Sequence, residues 1–165
     1  NFYMELYHGS TYDFTEIDLS KARKGKDFGL GYYLTTNKSQ AIRWATRGKM
    51  KKEGFLYTYA FDEKILNGYE FNIKKLTRYN KEWADFLCKC RLEFYNSDHD
   101  IIYDRMADST FKVLSNYIER YYFGEIDLNM LLLIARFPKN RRYDQYCFKT
   151  KRAIEKLSLV KKEGV

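Results

Sequence analysis

Phe28-Gly29-Leu30-Gly31-Tyr32-Tyr33-Leu34, read with Leu6-Tyr7-His8-Gly9-Ser10 upstream of it, is the pair of segments on which the fold of this chain depends. Met4 to His8 alternates as a short strand and enters a turn predicted at Gly9-Ser10. The glycines at 29 and 31 let the backbone turn closely, because glycine tolerates positive φ and lets a ligand approach the main chain. A second strand, Tyr32 to Thr35, then presents Tyr33, and a helix capped by Thr36 or Asn37 runs through Ala41, Trp44 and Ala45. A histidine, exposed aromatics and bare backbone amides suit a flat, polar heteroaromatic ligand with ribose hydroxyls. Each part also has a plain reading: a surface histidine, a core tyrosine, and two turn-forming glycines. The residues alone reach a nucleotide pocket and stop there.

Working outward, Ile17 to Lys26 is a basic, polar loop, and Phe55 to Phe61 is an aromatic strand. Asn80 caps a helix whose apolar face is Trp83, Phe86, Leu87, Cys90 and Phe94. Asp100 to Tyr103 reads as a buried strand. Asp108 or Ser109 caps a helix through Phe111, Leu114, Ile118 and Tyr121, and Asp127 opens another over Leu128, Leu131, Leu132 and Ala135. Tyr146 to Phe148 is a late strand, Thr150 caps a short helix over Ala153 and Leu157, and Leu159-Val160 forms an edge strand. There is no repeat, no linker and no regular βαβ alternation. One α+β domain over residues 1–165, with mostly antiparallel pairing, is the expected architecture.

Composition narrows the classes. The longest apolar run, Met130 to Ala135, is far shorter than the ~18 residues of a membrane helix. No basic stretch followed by an apolar segment and a cleavage site opens the sequence, so a cytoplasmic protein is expected. Cys88, Cys90 and Cys147 have neither metal-binding nor disulfide-scaffold spacing and read as free thiols, with no metal site. Lys and Arg exceed Asp and Glu by 30 to 22, a net charge of +8 that favours polyanions: RNA, DNA or a phosphate-rich cofactor.

The two opening segments resemble the paired NAD motifs of the poly(ADP-ribose) polymerase and diphtheria-toxin class of ADP-ribosyltransferases. The longer texture is similar to that of a small bacterial family catalogued mainly as a domain of unknown function and grouped with those enzymes. It runs through LYHGST, IDLSKARKGKDFGLGYYLTT, QAIRWA, FDEKILNGYEF, DIIYDRMAD and DQYCFKT. The resemblance implies an ADP-ribosyltransferase-like fold, two small sheets around an NAD cleft with helices packed outside. It implies that His8 hydrogen-bonds a ribose hydroxyl, that the Gly9 backbone, beside Ser10, holds the carboxamide, and that Tyr33 stacks on the nicotinamide. Trp44 falls where relatives place a second stacking aromatic. Ser39 is the nearest hydroxyl for the carboxamide, although its spacing from Tyr33 differs from theirs. Arg23 and Lys26 would reach the pyrophosphate as cations on a loop; the plain reading is a solvated basic loop.

Asp144-Gln145-Tyr146-Cys147-Phe148 resembles the strand on which those enzymes carry a catalytic glutamate, with Gln145 in its place. Cleaving the nicotinamide–ribose bond passes through an oxocarbenium-like state, which a carboxylate stabilises. Gln145 keeps a hydrogen bond but neither the charge nor the capacity to act as a base. Asp108, which also reads as a helix cap, is the expected substitute; Asp104, His99 and Asp144 have no motif behind them. The resemblance thus implies mono-ADP-ribosyl transfer from NAD to a macromolecule, in a toxin restrained by a small antitoxin; the net charge of +8 puts nucleic acid slightly ahead of protein as the acceptor. A non-catalytic NAD or ADP-ribose binding module, or a basic nucleic-acid binder without chemistry, are the alternatives.

Overall fold

The computed structural model describes residues 3–47, 53–106, 111–136 and 143–165. Among these described residues seven strands form two sheets. The first has the order β1 (Tyr3–Ser10), β3 (Phe55–Asp62), β7 (Ser158–Gly164), all antiparallel. The second has the order β2 (Tyr32–Leu34), β6 (Tyr143–Phe148), β5 (Ile101–Met106), β4 (Ile73–Leu76), with β4 and β5 parallel. A lone antiparallel bridge between Tyr7 and Thr35 links β1 to the end of β2. The α+β class with mostly antiparallel sheets is therefore observed.

Side-chain alternation gives the second sheet two different faces. Tyr32, Leu34, Ile101, Tyr146 and Phe148 point at Leu6, Tyr59 and Phe61 of the first sheet. Full burial of Leu6, Leu34, Phe61 and Phe148 contributes about 1.5–3 kcal/mol each. Tyr33, Ile102 and Cys147 point the other way, into a core closed by three helices: α2 (Lys81–Leu92), α3 (Phe111–Tyr122) and α4 (Leu128–Ala135). Helix α1 (Lys38–Ala45) lies against β1, and α5 (Lys151–Ile154) precedes β7.

The predicted caps at Asn37, Asn80, Asp127 and Thr150 all accept a backbone N–H from the first helical turn. The cap expected at Asp108 or Ser109 lies outside the described residues. Four local readings change. Gly9 and Ser10 continue β1 instead of turning, because they pair with Leu56 and Phe55. The basic loop contains a 3₁₀ turn at Leu19–Lys21, held by Asp18. The helix over Ala153 ends at Ile154, short of Leu157. Phe94 is not on the face of α2: it follows the helix end with φ of 54° and is exposed. The cysteines are buried free thiols, and no helix of the described residues is long and apolar enough to cross a membrane.

Candidate functional site

Beyond the Tyr7–Thr35 bridge, β1 leaves β2 for its own sheet, and His8 sits at that divergence. Its Nδ1 lies 2.6 Å from the carbonyl oxygen of Tyr33, and its ring stacks on Tyr32 with centroids 4.0 Å apart. Burial pulls its pKa down to about 4, with the Tyr33 carbonyl opposing and Lys26 assisting. At neutral pH the imidazole is uncharged. Because a carbonyl only accepts, Nδ1 carries the proton and Nε2 is left as a bare acceptor.

Tyr33 is more enclosed than a simple stacking platform. Its hydroxyl accepts from the Phe28 N–H at 3.0 Å and donates to the Gly29 carbonyl at 2.6 Å, so it braces the glycine turn from inside. Burial first, then Cys147 and Asp27, raises its pKa well above the usual value and keeps it protonated. Phe28 stacks beyond one side of the ring, and the Lys26 ammonium sits 5.1 Å above its centroid. Gly29 has φ of 80°, and a Cβ on Gly31 would fall on the Cys147 sulfur. The turn is locked from below by Lys149, whose ammonium donates to the carbonyls of Phe28 and Leu30 at 2.9 and 2.7 Å and to Asn96. Asn96 in turn accepts from the Leu30 N–H.

Gln145 is buried, 7% accessible. It shares a sheet face with Cys147 and Tyr33 and stands directly across from Asp104 of β5, itself buried. Its Nε2 donates to Asp27 Oδ2 at 3.1 Å, and Asp27 Oδ1 accepts from Arg91 Nε at 2.5 Å. Arg91, on α2, also donates to Ser115 of α3. A buried ion pair is therefore tied to the Gln145 side chain. Sequence reading missed Asp27 and Arg91, 64 positions apart; the only local signal was an aspartate flanking the glycine turn.

A family model described as "Protein of unknown function (DUF3990)" matches residues 4–159, the stretch that carries every motif above. The chain belongs to that family. No curated protein matches it.

In this DUF3990 domain the remaining candidates divide. Arg23 and Lys26 lie beside Arg47, and this cation cluster with the desolvation of Lys26 lowers the lysine's pKa, desolvation being the larger cause. Arg47 carried no sequence signal that singled it out. The three make no salt bridge with any described residue. Gly9 serves close packing: a Cβ there would collide with the Ala41 carbonyl of α1. Ser10 accepts from the Tyr12 N–H and shapes the strand end. Trp44 is half-buried and Ser39 exposed, both on α1, and no ring contact among the described residues joins Trp44 to His8 or Tyr33. Asp108 lies outside the described residues. Asp144 is committed to the Thr36 N–H and hydroxyl, and His99 to Ser97. A cavity of about 630 Å³, lined by Phe14 to Lys21, Lys151 and Ile154, includes none of the predicted site residues. Among the described residues no cluster of His, Cys, Asp and Glu is arranged to hold a metal ion.

Proposed function

We propose that this chain is an NAD-dependent mono-ADP-ribosyltransferase. The observation that carries the reading is the convergence of three separated segments around the glycine turn and the strand that follows it. His8 bonds the carbonyl of Tyr33, the Tyr33 side chain braces Phe28 and Gly29 beneath Lys26, and Gln145 bonds Asp27. The donor set fits NAD. Nε2 of a neutral His8 accepts a ribose hydroxyl, and Arg23, Lys26 and Arg47 supply cations for a pyrophosphate. Stacking of nicotinamide on Tyr33 requires Lys26 to leave the ring, and the pyrophosphate is the anion that would draw it away.

In the reaction the bond between ribose C1′ and the nicotinamide nitrogen breaks, and its electron pair leaves on neutral nicotinamide. A lone pair of the acceptor forms the new bond at C1′, and the acceptor's proton passes to solvent. Gln145 would hold a ribose hydroxyl as positive charge develops on the sugar. The net charge of +8 favours a nucleic-acid acceptor over a protein, and the setting we propose is a toxin restrained by a small antitoxin.

The test is NAD labelled in its adenylate portion, mixed with the protein and total cell extract. Covalent label supports transfer. Saturable NAD binding without label would instead make the chain a binding module, and neither outcome would leave a nucleic-acid binder. Label that survives nuclease but not protease reassigns the acceptor to protein.

A further inference from the structure

We infer that Asp27 is a positioning residue that decides which end of the Gln145 amide faces a bound ligand. This rests on the NAD reading of the same site. An amide side chain has a donor end and an acceptor end of nearly equal shape, so something must choose between them. Asp27 is paired with the Arg91 guanidinium and can only accept, so it captures Nε2 of Gln145. Among the described residues this is the only hydrogen bond that the Gln145 side chain makes. Oε1 is the end left over, and it is an acceptor.

That choice matters for a ribosyl donor. As the C1′–nitrogen bond breaks, the sugar becomes cationic and its hydroxyls become stronger donors, so a fixed acceptor gains strength in the transition state. An Nε2 facing the sugar would oppose the same charge. With His8 Nε2 also a bare acceptor, the site offers two acceptors and suits a ligand with two hydroxyl donors, the vicinal diol of a ribose. Asp27 also accounts for the amide at position 145. A glutamate there would meet the Asp27 carboxylate and, across the strand pair, Asp104, with Arg91 the one cation bonded to Asp27 among the described residues.

Nicotinamide release and thermal melts on the parent, Asp27→Asn, Gln145→Glu and the double variant test this. An asparagine at position 27 can present either end to Gln145, so the Gln145 amide loses its fixed orientation. Asp27→Asn is expected to lower kcat about tenfold, the effect of one weakened hydrogen bond, with KM near the parent's. Gln145→Glu is expected to melt several degrees lower at about pH 8 than at about pH 5, where one carboxyl of the pair takes up a proton. In the double variant the new amide at position 27 donates to the new carboxylate at position 145, so both the melt and the turnover should recover. Parental kcat in Asp27→Asn, or a Gln145→Glu melt indifferent to pH, overturns the inference. Should Asp27→Asn fail to fold, the pH-dependent melt of Gln145→Glu and its repair in the double variant decide alone. A parent that releases no nicotinamide overturns the transferase reading, while those melts still decide whether Asp27 orients position 145.

Discussion

Asp27 and Asp100 are both buried, each against an arginine, and they are held in opposite ways. Asp100 accepts from the Asn72 backbone N–H, from the Thr150 hydroxyl that also caps α5, and from Arg152, whose side chain is 55% exposed. Each partner joins one piece of chain to the next, and the charged one can retreat into water. Among the described residues no backbone N–H donates to the Asp27 carboxylate. Its partners are Arg91, 8% exposed, and the Gln145 amide, both side chains projecting from packed elements. Asp100 is a staple between β5, α5 and the segment before β4. Asp27 is a buried charge pair kept beside a polar strand position, an arrangement that well-packed apolar residues often match or exceed in stability. Burial and pairing alone therefore do not distinguish the two aspartates; what does is that one is held by backbone and cap groups and the other by side chains alone.

The largest effect should come from removing each arginine. Arg91→Met strands Asp27 in the core and is expected to cost about 3–5 kcal/mol, whereas Arg152→Met leaves Asp100 its other donors and should shift the melt far less. Chemical denaturation of the two variants side by side measures this, and equal losses would erase the distinction.

Next in size is a separation of stability from turnover. Thr150→Ala removes a cap and an Asp100 donor, costing about 1–2 kcal/mol, and should leave nicotinamide release unchanged. Gln145→Leu keeps the volume, leaves Asp27 paired with Arg91, and should abolish release while the fold persists. Melts and a single-turnover assay on both variants make the comparison.

The acid limb is smaller. Burial alone would raise the Asp100 pKa, but the hydrogen bonds from Arg152, Thr150 and Asn72 outweigh it, and the net shift is downward from 3.8. A depressed carboxyl contributes stability above its unfolded pKa and loses it as pH falls through the folded one. Asp100→Asn should therefore flatten stability below about pH 4, measured as unfolding midpoint against pH.

A second acid limb belongs to His8 on the other side of the comparison, and it opens at higher pH. Its folded pKa is about 4 against 6.5 unfolded, so the unfolded chain takes up the proton first. Stability is full above 6.5 and declines as pH falls toward about 4. His8→Asn should remove that slope, and a slope that persists would place its origin in another group.

Much of this is legible in the sequence itself. The short strand at Met4–His8, the aromatic β-rich run at Phe55–Phe61, and caps at Asn37, Asn80, Asp127 and Thr150 depend on neighbours within a few residues, so the sequence displays them. The strand β4 was missed because Ile73-Lys74-Lys75-Leu76 is an edge strand with two lysines, and its parallel partner β5 lies beyond α2. The glycine turn was visible, but not its lock, since Lys149 reaches Phe28 and Leu30 from 121 and 119 positions away. Sequence motifs therefore determined which residues are candidates: His8, Tyr33, Gln145 and the basic loop. Only the tertiary structure decided their states, because the proton on His8, the enclosure of Tyr33 and the orientation of Gln145 are set by groups distant in sequence. Hydrogen bonding and desolvation act across a few ångströms of space, and chain separation carries no record of that distance.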